Sequence, residues 1–208
     1  SLVSASKKGP VFKDVPSSHQ FYGPICWVAQ TGVTVGTGVG MYGPSDPVNR
    51  GSMAAFLYRM AGSPAWTPPA TSPFTDVPKS HKFYKEITWL AASGITVGVV
   101  IGGKTYYGPG NAVNRGSMSA FMYRLSGSPT YTAPATSPFA DVAKSHQFYK
   151  TISWLASENI TVGMTVGGQF VYQPGNSVNR GSMAAFMRRL ATQQLQCTTY
   201  PNGIQCDF

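Results

Sequence analysis

The sequence predicts a mainly α-helical protein, a pseudo-threefold assembly of three helix–loop–helix repeats around a central helical bundle. Three observations predict it. Val48-Asn49-Arg50-Gly51-Ser52-Met53 recurs as Val113-Asn114-Arg115-Gly116-Ser117-Met118 and Val178-Asn179-Arg180-Gly181-Ser182-Met183, at a constant interval of 65 residues. A second block, Phe12-x-Asp14-Val15 with Ser18-His19-x-Phe21-Tyr22, recurs at Phe74–Tyr84 and Phe139–Tyr149. The apolar residues after each block follow helical spacing. A fixed period marks one supersecondary unit that must stack on its copies to bury its apolar face. The first copy lacks three residues before Tyr42-Gly43-Pro44, a difference that belongs in a loop.

The first helix of each copy is expected at about 21–30, 83–93 and 148–158, where Tyr84, Ile87, Leu90 and Ala91 share a face. Gly32, Gly94 and Asn159 are placed to end these helices in the left-handed conformation. The second helix begins after Asn49, Asn114 and Asn179, because an Asn side-chain oxygen caps a first-turn N–H well. Met53, Phe56, Leu57 and Met60 then make an i, i+3, i+4, i+7 stripe. A Gly-, Thr- and Val-rich loop ending at Tyr42, Tyr107 or Tyr172 joins the two helices, with room for a short strand. Residues 62–73 and 127–138 are nearly identical Pro/Ser/Thr linkers. The expected organisation is repeat 1 over 1–62, repeat 2 over 63–127, repeat 3 over 128–196 and a tail over 197–208.

With 42% hydrophobic and only 11% charged residues, the chain has the material for a core and not the profile of a disordered one. No apolar run is long enough to span a membrane, and no N-terminal segment reads as a signal peptide. Beginning at Ser1, it reads as a piece of a longer or processed protein. Sixteen basic against seven acidic residues give a net charge of +9, which favours an anionic partner. Charge alone leaves nucleic acid, an anionic membrane surface and an acidic polysaccharide open. Cys197 and Cys206 flank the turn signal Pro201-Asn202-Gly203, so they either form a tail disulfide, implying an oxidising setting, or stay reduced. Cys26, alone in an apolar segment, is expected as a buried inert thiol.

The chemistry gathers at Asn49–Ser52, Asn114–Ser117 and Asn179–Ser182. A helix start presents unpaired N–H groups and the positive pole of the dipole to an anion. Arg50, Arg115 and Arg180 add planar forks suited to a carboxylate. Gly51, Gly116 and Gly181 weaken the first turn, which is reasonable if a ligand or neighbouring backbone comes close. The competing reading pairs each arginine with Asp14, Asp76 or Asp141 of a neighbouring copy. Gly36, Gly98 and Gly163, after Thr34, Thr96 and Thr161, either bare the backbone and a hydroxyl to a sugar or make a tight turn. Trp27, Trp89 and Trp154 are expected in the core, Trp66 and Tyr131 on the linkers, and Arg59, Arg124 and Arg189 near helix C-termini. His19, His81 and His146 stand one per copy without a second ligand at metal spacing, so they are expected to bond helix starts; no metal or cofactor is expected.

Phe-x-Asp-Val, His and Tyr, Gly-Ile-Thr-x-Gly, Pro, and Val-x-Arg before an Ala-Phe helix together resemble the S-layer homology domain. The likeness covers residues 10–191 in three tandem copies. It implies a three-pronged helical domain that attaches bacterial surface proteins to secondary cell-wall polysaccharide, often through a pyruvylated sugar. The family's Thr-Arg-Ala-Glu signature, whose arginine meets the ligand carboxylate, falls on Asn49–Ser52, Asn114–Ser117 and Asn179–Ser182. Ser52, Ser117 and Ser182 replace its Glu, removing the capping box, and Gln20, Lys82 and Gln147 stand where Trp is common. These shared departures mark a variant subgroup.

The resulting expectation is a non-enzymatic, extracellular module at the bacterial cell surface. It holds an anionic cell-wall polysaccharide in inter-repeat grooves and carries a cargo domain in the full-length protein. The alternative is a protein-interaction or adhesin module using the same basic grooves for an acidic partner. Scattered lysines and the lack of a reader motif argue against nucleic acid, and membrane insertion is not expected. Glu86 and Glu158, read as surface residues of different copies, do not make the paired carboxylates of a glycosidase. No Gly-x-Ser-x-Gly elbow accompanies the Ser, His and Asp residues. Triplication suits multivalent binding better than catalysis.

Overall fold

The computed structural model describes residues 12–195. Six α-helices dominate: α1 Tyr22–Gln30, α2 Arg50–Met60, α3 Tyr84–Ala92, α4 Arg115–Leu125, α5 Tyr149–Ser157 and α6 Arg180–Leu190, the last running into a π-helical turn at Ala191–Leu195. Strand β1, Val99–Ile101, pairs antiparallel with β2, Lys104–Tyr106, and β3, Met164–Val166, pairs the same way with β4, Gln169–Val171. The protein is therefore mainly helical and built from three repeats.

Helix boundaries follow local chemistry. In α2, α4 and α6 the Asn49, Asn114 and Asn179 side chains accept the N–H of Ser52, Ser117 and Ser182 at 2.7–2.8 Å. The first helices have no side-chain cap at their own N-cap residues. Instead His19, His81 and His146 accept, through Nδ1, the N–H of Phe21, Phe83 and Phe148. After α1, α3 and α5 the chain turns at positive φ on Gly32, Gly94 and Asn159.

The loop between helices forms a hairpin in the second and third copies. Gly102-Gly103 and Gly167-Gly168 make the turns, all four with positive φ, as a two-residue turn matched to strand twist requires. In the shorter first loop only the isolated bridge Gly38–Met41 forms.

The chain divides into two compact units that cut across the repeats. One comprises residues 48–177, the other residues 1–47 with 178–208. Within the first, α2 packs on α3 and α4 on α5; within the second, α1 packs on α6. In every case a second helix packs on the first helix of another copy. The apolar stripe explains this preference: Met53, Phe56, Leu57 and Met60 are all buried, as are Ile87 and Leu90 of α3. Tyr58 and Tyr123 stand edge-on to Trp89 and Trp154. Trp27 and Trp154 are buried and Trp89 half-buried. The first linker is tied down by Trp66, which donates to Thr88 Oγ1 at 3.1 Å, and by Tyr84, which donates to the Pro69 carbonyl at 2.7 Å.

Two expectations need correction. Cys26 is not a free thiol but disulfide-bonded; its burial, 5% exposed, suits either state, so its apolar setting could not decide between them. The expected Cys197–Cys206 bridge lies outside the described residues. Glu86 and Glu158 are half-buried, not surface residues.

Candidate functional site

Each second helix starts against a loop from another copy. The Arg50 and Gly51 amides donate to the carbonyls of Asn111 (2.8 Å) and Pro109 (2.9 Å). Arg115 and Gly116 donate to Asn176 and Pro174, and Arg180 and Gly181 to Asp46 and Pro44, all at 2.9 Å. The third N–H is taken by the Asn cap and the fourth by the Asn carbonyl. This overturns the expected anion site at the helix N-terminus: the first-turn donors left unpaired in an isolated helix are all used inside the protein. Asn49, Asn114, Asn179 and the Ser52, Ser117 and Ser182 amides therefore cap helices.

The first-turn glycines admit the neighbouring copy. A Cβ on Gly116 would stand 2.7 Å from Phe148 Cδ2, one on Gly181 2.7 Å from Phe21 Cδ2, and one on Gly51 3.2 Å from Phe83 Cδ2. Of the two close approaches considered from sequence, neighbouring protein accounts for these glycines.

Each arginine is gripped by a tyrosine from another copy. Arg50 Nε donates to the Tyr107 carbonyl at 2.7 Å, the Tyr107 hydroxyl donates back to the Arg50 carbonyl at 2.7 Å, and the guanidinium carbon lies 4.6 Å from the ring centre. Arg115 with Tyr172 and Arg180 with Tyr42 repeat the arrangement. Behind each tyrosine, Asp76 accepts the Tyr107 and Gly108 amides, Asp141 those of Tyr172 and Gln173, and Asp14 those of Tyr42 and Gly43, all within 2.7–2.9 Å. The aspartates thus hold the tyrosine loops, and through them the arginines. Asp–Tyr–Arg was present in the sequence as strict recurrence, but nothing local assigned the residues to one another.

Burial governs the electrostatics. It lowers the pKa of Arg50 and Arg115, an effect opposed by Tyr107 with Asp76 and by Tyr172 with Asp141; arginine nonetheless stays charged. Burial also pushes the Tyr42, Tyr107 and Tyr172 phenols up, keeping their hydroxyls as donors. For Asp14, desolvation acts upward, but the Tyr42 and Gly43 amides and the Arg180 charge outweigh it and hold the carboxyl below its ordinary value.

Thr34, Thr96 and Thr161 are buried, each 4% exposed, so their hydroxyls do not face a sugar. Thr34 Oγ1 accepts the Gly36 amide at 3.2 Å and Arg180 Nη2 at 3.4 Å. Gly36, Gly98 and Gly163 have positive φ, and a Cβ on Gly98 would lie 2.6 Å from both Phe74 Cε1 and the Tyr106 carbonyl. Internal packing and backbone conformation account for them, which favours the tight-turn reading.

A cleft of about 470 Å³ opens beside Arg50. Val99, Ile101 and Tyr106 contribute the β1–β2 hairpin to its lining, and Asp76, Asn111 and Ser117 contribute polar groups. Arg50 is half-buried, and among the described residues neither Nη1 nor Nη2 makes a hydrogen bond. The cleft thus combines a fixed guanidinium with an apolar hairpin face. Sequence reasoning missed that face: Val97, Val99, Val100 and Ile101, and in the third copy Val162, Met164, Val166 and Phe170, are exposed. Valine-rich strands usually announce burial, so pattern gave no warning.

The S-layer homology domain model matches residues 11–54, 73–119 and 138–184. The chain belongs to the S-layer homology domain family. It is 26% identical over 182 residues to the S-layer protein EA1 of Bacillus anthracis, covering 86% of this chain and 20% of that protein. It is 27% identical over 182 residues to an S-layer protein of Bacillus licheniformis, with the same coverage. The chain thus spans about a fifth of the length of these curated relatives. Family and relatives together indicate a cell-surface, wall-associated protein and support cell-wall anchoring in general. Within S-layer homology repeats, the variant Asn-Arg-Gly-Ser keeps a helix cap, through Asn alone. No helix among the described residues is long and apolar enough to cross a membrane.

Proposed function

We propose that these repeats anchor a surface protein non-covalently by binding an anionic, possibly pyruvylated, secondary cell-wall polysaccharide. Binding is reversible and involves no turnover. The acid group meets Arg50, and by repetition Arg115, while the sugar ring lies against the hairpin. The observation that carries this reading is the Arg50 cleft: a guanidinium with both Nη groups uncommitted beside an apolar wall in a chain of net charge +9. Arg suits the task because its fork binds a carboxylate in bidentate fashion and cannot lose its charge near neutral pH. Family membership and the two S-layer relatives support the polymer as partner. In the full-length protein the cargo is a further domain.

The test is sedimentation with protein-free cell walls, before and after chemical removal of the secondary polymer. Binding should vanish with the polymer. Retention on stripped walls would defeat the proposal and favour a second reading, a protein-interaction or adhesin module, which the exposed apolar hairpins also suit.

A further inference from the structure

The three arginine niches share a motif but differ in what surrounds it. Arg50 and Arg115 are half-buried, whereas Arg180 is 7% exposed. Arg180 also directs Nη2 to Thr34 Oγ1 at 3.4 Å. Its tyrosine, Tyr42, ends the loop that is three residues short and forms no hairpin. The hairpin residues Val99, Ile101 and Tyr106 line the Arg50 cleft, and the Arg115 niche has hairpin β3–β4 in the same register. A charge difference coincides with this. The residue whose carbonyl receives the arginine amide is Asn111 for Arg50 and Asn176 for Arg115, but Asp46 for Arg180. Asn111 lines the cleft, and its amide lies over Gly108 as the Asp46 carboxylate lies over Gly43. An anion approaching Arg180 would therefore meet a like charge where the other niches offer a neutral amide.

We infer that the chain has two working acid-binding clefts, at Arg50 and Arg115, and that the Arg180 niche is closed to anions by Asp46, the shortened loop and the inward-turned guanidinium. In this arrangement Arg180 works as a structural arginine, and Asn111 and Asn176 are specificity-determining residues. The inference rests on the proposed polysaccharide binding and divides it among sites.

Calorimetric titration with short carboxylate-bearing oligosaccharides, released by acid from protein-free walls, tests it. The parent protein should bind at two sites per chain. Asn111→Asp and Asn176→Asp should each weaken one site by at least about tenfold through like-charge repulsion, and the double variant should lose both. Asn111→Ser, similarly small but neutral, should retain binding, separating charge from shape, with thermal melts confirming that each variant folds. Replacing residues 37–41 by residues 99–106 together with Asp46→Asn should create a third site. Three equal sites in the parent, or undiminished binding by the Asp double variant, would overturn the inference while leaving polysaccharide binding intact. No binding by the parent would defeat both.

Discussion

The Arg50 and Arg180 niches show how one frame yields two environments. In both, arginine Nε donates to a tyrosine carbonyl, the tyrosine hydroxyl donates back, and an aspartate holds the tyrosine loop. Yet Arg50 lines an open cleft and Arg180 is buried with a hydroxyl partner. The differences are outside the motif, in a loop three residues shorter and in Asp46 at the place of Asn111. Repetition therefore preserves the bonds that fasten copies together, while the residues around those bonds decide whether a guanidinium stays available.

The largest effect should come from the shared frame. Tyr107→Ala and Tyr42→Ala should each lose about 3–5 kcal/mol, the usual result of emptying a buried aromatic site, when unfolding is followed in urea. Similar losses would sharpen the view that both niches rest on the same frame; tolerance at Tyr42 would break it. Next, Arg180→Lys should destabilise by about 1.5–3 kcal/mol, as for bonds to a charged donor. Arg50→Lys should lose roughly half as much, because Arg180 is more buried and has the additional Thr34 bond. Equal melting shifts would erase the distinction. Smaller still, Asn49→Ala, Asn114→Ala and Asn179→Ala should each lose about 1 kcal/mol through the missing cap, evenly across copies.

The gentlest effect should appear in acid. The Asp14 carboxyl is held below its ordinary value, so its ionised form stabilises the fold above the unfolded value of 3.8. That contribution is lost as pH falls through the lower folded value, where the native carboxylate must finally be protonated. Denaturation midpoints measured downward from about pH 5 should decline, and Asp14→Asn should flatten the decline. An unchanged slope would remove Asp14 from the account of the Arg180 niche.

The repeats, the helices and the Asn caps were legible because their causes are local. Periodic apolar residues, a capping side chain and a residue tolerant of positive φ act within a few positions of themselves. The hairpins were only partly legible: a strand was expected in the loop, but not that Val99, Val100 and Ile101 would be exposed. At the candidate site, the arginines were picked out correctly as recurring charges. The helix-terminal donors were not read correctly, since Asn111, Pro109 and their counterparts consume them from another copy.

By itself the sequence determined a three-repeat, mainly helical chain of the S-layer homology family, with a positive charge and a capped arginine at each second helix. These follow from spacing and side-chain chemistry, which act along the chain. Only the tertiary structure decided that each second helix packs against another copy, that tyrosine and aspartate from that copy fix the arginine, and that Arg50 lines a cleft while Arg180 is buried. Those outcomes depend on residues as much as 138 positions apart meeting at hydrogen-bond distance, a proximity that no local pattern encodes.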